Sequence, residues 1–96
     1  MGRYLVERKL TDISKRLRRA REQLSVTEQQ LAALSETADE ARVRSLVAES
    51  PLATKQYREA QRSADAMGSA RDNLAGQVHR LEAEMDELLD RLVPGS

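Results

Sequence analysis

The chain has no cysteine, tryptophan or phenylalanine, and its two tyrosines are the only aromatics. Without cysteine there can be no disulfide and no thiolate metal ligand. Without large aromatics, a core of ordinary density has to be built from Leu, Val, Ala and Met. No stretch approaches the roughly 18–20 consecutive apolar residues of a membrane span, and the basic N-terminal stretch lacks the apolar segment of a secretion signal. A cytoplasmic protein is expected. Glycine and proline are also sparse, at four and two residues.

What remains is charge and aliphatics. Sixteen Lys+Arg balance sixteen Asp+Glu among 96 residues, a third of the chain is charged, and 40% is hydrophobic. That length allows one small domain at most. The balance favours long helices with a narrow apolar seam. Thirteen of the sixteen basic residues are arginine, a skew that a GC-rich coding sequence produces, so a bacterial source is expected. The ending Leu92-Val93-Pro94-Gly95-Ser96 resembles a thrombin site lacking its arginine, and residues 94–96 are read as a tail or vector-derived remnant.

The seam has the spacing of a coiled coil. Val6, Leu10, Ile13, Leu17, Ala20, Leu24, Leu31, Leu34, Ala38 and Ala41 alternate by three and four, with Thr27 the one polar member. The second half repeats the pattern over Ala53, Tyr57, Ala60, Ala64, Met67, Leu74, Val78, Leu81, Met85, Leu88 and Leu92, with Arg71 the misfit. Both stretches exceed the three or four heptads that identify a coiled coil. Between them, Ser50-Pro51 reads as a helix N-cap followed by proline in the first turn, where its missing N–H costs nothing. The fold predicted is an all-α, long antiparallel two-helix coiled-coil hairpin that can dimerise into a four-helix bundle. Helix 1 covers about 3–48, the turn about 49–51 and helix 2 about 51–92.

One register satisfies turn and seam together. It sets Val6 opposite Leu92, Leu10 opposite Leu88, Leu17 opposite Leu81, Leu24 opposite Leu74 and Leu31 opposite Met67. It also brings Thr27 and Arg71 into one polar layer, a feature that costs stability and fixes register; Arg71 is expected to extend outward past Thr27. Residues 1–21 carry eight basic and two acidic side chains, and residues 77–96 carry two basic and five acidic, so the hairpin lays opposite charges side by side. Arg16 and Glu84 are expected to face each other. Small residues at Ala33, Gly68, Ala70 and Ala75 are expected to let the helices approach closely. A turn at residues 36–40, or a separate short tip helix between Asp39 and Glu49, are the alternatives to this hairpin.

Catalysis finds little support. His79, the one histidine, has no partner motif and no pocket in a slim hairpin, and is read as a solvated or packing residue. Glu82/Asp86 and Glu87/Asp90 have helical spacing that a divalent cation could use, yet no Glu-x-x-His pattern accompanies them, so a solvated face is the expectation. No enzyme activity, cofactor or metal is expected. Two surfaces are candidates for partners. Arg8, Lys15, Arg18 and Arg19 point away from the seam, interrupted by Asp12 and Glu22, and form a basic face for phosphates or an acidic protein. Val43, Leu46, Val47 and Leu52 fall outside the seam at the turn; they are either a docking patch or a small local core capped by Tyr57. At the other end, Tyr4, Leu5, Leu89 and Val93 are expected to seal the base or make a dimer contact.

Two families share the hairpin shape without the residues that would carry a resemblance. Small helical-hairpin secretion substrates turn at Trp-x-Gly, whereas this turn is Glu49-Ser50-Pro51. Coiled-coil hairpins that enter the secondary channel of RNA polymerase carry acidic tips, and here Glu49 lies at the expected turn with Asp39 and Glu40 further down, but the globular domain of those factors has no counterpart in these residues. Shape does not give function. The reading is a non-enzymatic interaction or scaffold module for a protein partner, forming a homodimer; the alternative is a nucleic-acid- or ribonucleoprotein-associated factor held by the basic face.

Overall fold

A computed structural model describes residues 2–93. It contains two helices, α1 (Arg3–Ala48) and α2 (Pro51–Leu92), joined into an antiparallel hairpin, and none of the described residues is in a strand. Residues 94–96, read above as a tail, lie outside the described residues. α1 runs unbroken to Ala48, so neither a turn at 36–40 nor a separate tip helix forms.

The turn is built from local chemistry. The Glu49 amide donates to the Ser45 carbonyl (3.2 Å), and Glu49 then takes the left-handed conformation at φ 48°. That conformation ends a helix by turning the chain out of it, and it normally falls to glycine. Two residues later α2 starts at Pro51. The Ser50 hydroxyl accepts the Ala53 amide at 3.1 Å, satisfying one of the donors that a helix start leaves orphaned. The Ser-Pro pair therefore does what its sequence implies.

Packing divides the chain into two units: Met1–Leu24 with Leu74–Ser96, and Ser25–Asn73. The first has an aliphatic core. Val6, Ile13, Leu17, Ala20, Val78, Leu81 and Leu88 are buried, with Leu10, Leu24, Met85 and Leu92 packed against them and partly exposed. Arg21 of α1 bridges to Glu82 of α2 at 3.1 Å. The second unit is built differently. Its buried apolar residues are Ala38, Ala41, Ala53 and Ala64, while Leu31, Leu34 and Met67 are half-buried. Leu31 Cδ1 lies 4.0 Å from where a Cβ on Gly68 would sit, which agrees with Leu31 facing the Met67–Gly68 turn of α2.

Burial follows the expected seam on both helices and adds a third row on α2. Thr54, Gln61, Gly68, Ala75 and Glu82, spaced by seven, are half-buried as well, so α2 presents a broader stripe than α1. Gly68 and Ala75 thus sit at the contact as expected, but Ala33 and Ala70 are exposed and play no part in close approach. Their positions lie one step too far around the helix.

Candidate interaction surfaces

At the turn end of the second unit, α1 stays helical through its last turns and keeps Val43, Leu46 and Val47 on its outward faces. They are 53%, 65% and 81% exposed, and Leu52 at the start of α2 is 64% exposed. The four residues therefore do not form a local core, because no segment folds back over them. Tyr57 is half-buried in the seam. Val26, in the same unit, is exposed too.

Thr27 and Arg71, read from the sequence as one polar layer, both belong to this unit. Thr27 and Arg71 are both half-buried. The Arg71 Nε donates to Asp72 Oδ1 at 2.7 Å, so the guanidinium turns to an exposed neighbour on its own helix. This is outward extension of the charged head with its aliphatic stem left at the seam.

In the first unit, Arg8, Lys15, Arg18 and Arg19 are all exposed, and none takes part in an ion pair among the described residues. Asp12 and Glu22 interrupt this row in sequence. At the same end Tyr4, Leu5, Leu89 and Val93 remain exposed rather than sealing the base. Arg16 and Glu84 line one groove but do not pair; the ion pair between the helices is Arg21–Glu82 instead. Arg21 and Glu82 occupy equivalent positions beside the seam, on the side opposite the Arg16–Glu84 groove, so the heptad pattern contained this pair. The Glu49 conformation had no such signal, since glycine is absent from the turn.

The remaining acid–base candidates are surface groups. His79 is exposed with its Nδ1 4.0 Å from Glu82 Oε1, and that carboxylate is already engaged by Arg21. Among the described residues no group of three or more His, Asp or Glu side chains is placed to hold a metal ion. No described helix is long and apolar enough to cross a membrane. No family model, curated protein or solved structure matches the chain.

Proposed function

We propose that this hairpin is a non-enzymatic interaction or scaffold module that self-associates and offers its apolar tip and basic face to a protein partner. The observation that carries the reading is the exposure of Val43, Leu46, Val47 and Leu52. Four large aliphatics in one short stretch lose hydrophobic stabilisation for as long as water covers them, and docking recovers it. The helices beneath supply a stiff mount, which lowers the ordering cost of binding. The arginine skew and the lack of a membrane span fit a cytoplasmic setting in a GC-rich bacterium.

A second reading is favoured by one specific observation. The unpaired cations Arg8, Lys15, Arg18 and Arg19 suit phosphate contacts, so a nucleic-acid- or ribonucleoprotein-associated role is the alternative. With two tyrosines in the whole chain, base stacking has little to work with, and such binding would be weak in sequence preference. Salt separates the two, because phosphate binding falls steeply as salt rises whereas apolar docking does not. The test is to recover a tagged copy from its own cell lysate, with and without nuclease, at low and high salt. A protein retained through both treatments is expected. Recovery of RNA or DNA that nuclease and salt abolish would replace the scaffold reading with the alternative.

A further inference from the structure

We infer that a second copy of the chain seats on the groove of the first unit, about a two-fold axis parallel to the helices, so that α1 of each copy lies over α2 of the other. The inference rests on the self-association proposed above and gives it a face and an orientation.

The groove runs between the first turns of α1 and the last turns of α2, with Leu5, Ile13 and Leu88 in its lining. Its two walls differ in charge. The α1 wall carries Arg8, Lys9 and Arg16 against Asp12, and the α2 wall carries Glu84 and Glu87 against Arg91. None of these seven groups takes part in an ion pair among the described residues. The other side of the same unit is bridged by Arg21 and Glu82. One side of the unit is thus bridged, and the other is lined by opposite charges that do not pair among the described residues.

A self-complementary contact needs a two-fold axis, and two orientations bring this groove against itself. With the axis along the helices, the basic α1 wall of one copy covers the acidic α2 wall of the other, twice. With the axis across the helices, α1 meets α1 and like charge faces like charge, which is repelled. Charge therefore selects the first. Apolar surface is available to be covered in the groove: Leu5 is 50% exposed. The long stems of Lys9 and Arg16 add to it.

Sedimentation equilibrium at low salt tests this with four proteins: wild type, K9E/R16E, E84K/E87K and the combined K9E/R16E/E84K/E87K. Wild type is expected to be dimeric, and each double variant to raise the dissociation constant by roughly tenfold or more. An equimolar mixture of the two double variants restores every wall-to-wall pairing and is expected to recover wild-type affinity as a heterodimer. The combined variant restores complementarity both within and between chains, so it is expected to fold and dimerise even where a double variant does not fold. A wild type that stays monomeric at every concentration overturns the inference together with self-association. A dimer indifferent to both double variants, one strengthened by K9E/R16E, or a folded but monomeric combined variant overturns the face or orientation alone.

Discussion

At the scale of single residues, the turn and the polar layer hold the most local strain and cost. Glu49 is the one non-glycine residue with positive φ among those described, and for an L side chain that conformation costs roughly 1–2 kcal/mol. Glycine removes the cost but gains freedom in the unfolded chain, worth about 0.4–1 kcal/mol. Glu49→Gly is therefore expected to stabilise by about 0.5 kcal/mol, seen as a rise of roughly 2–4 °C in a thermal melt. A fall in melting temperature would show that the Glu49 side chain contributes something the glycine lacks. Arg71 is the larger test. Replacing a half-buried charged seam residue with leucine adds apolar burial worth about 1 kcal/mol. Arg71→Leu is expected to raise the melting temperature while loosening register or changing oligomer size, since a polar layer specifies pairing at the expense of stability. Melting and mass measured together check it; a drop in melting temperature with unchanged mass would contradict it.

At the scale of elements, the two helices are continuous but their packing is not uniform. Large aliphatics are buried in the unit that contains Met1–Leu24 and Leu74–Ser96, whereas the unit Ser25–Asn73 buries alanines. Gly68 sits in the second, in mid-helix, and a methyl there would reach Leu31 Cδ1 at 4.0 Å, an ordinary contact. Gly68→Ala is expected to stabilise by about 1 kcal/mol through helix propensity, a rise of roughly 4–8 °C. A loss of stability would mean that the helices approach too closely for a Cβ.

The hairpin was legible at this scale because two independent signals agree, the three–four spacing of aliphatics from Val6 to Leu92 and the Ser50-Pro51 helix start. The candidate surfaces were legible less evenly. The basic face followed directly from heptad position, because exposed rows need only a count of residues. Whether Val43, Leu46 and Val47 were core or surface could not be read, since it depended on α1 staying helical to Ala48, and apolar residues on a helix face carry no mark of what covers them. Arg16 and Glu84 line one groove, as their facing positions imply, but the side on which the helices bridge was not legible. The register sets Arg16 nearer in level to Glu84 than Arg21 is to Glu82, and the half-buried row from Thr54 to Glu82 of α2, which accompanies the Arg21–Glu82 bridge, is a product of packing.

At the scale of the whole molecule, the proposed function rests on exposed surfaces. The tip offers hydrophobic area, the basic face offers long-range attraction, and the groove of the first unit offers a self-complementary contact. These make separable demands. Tip docking should persist in salt, attraction by Arg8, Lys15, Arg18 and Arg19 should fade within a Debye length of about 10 Å at 0.1 M, and self-association should depend on Lys9, Arg16, Glu84 and Glu87. The first of these is the central claim. Its most direct test is the affinity of the protein partner recovered from lysate for wild type, for Leu46→Ser/Val47→Ser and for Arg18→Ser/Arg19→Ser, at moderate salt. A loss of roughly tenfold or more is expected for the tip variant, as for truncated apolar anchors, and little change for the arginine variant. Unchanged affinity in the tip variant, with binding lost in the arginine variant, would contradict it.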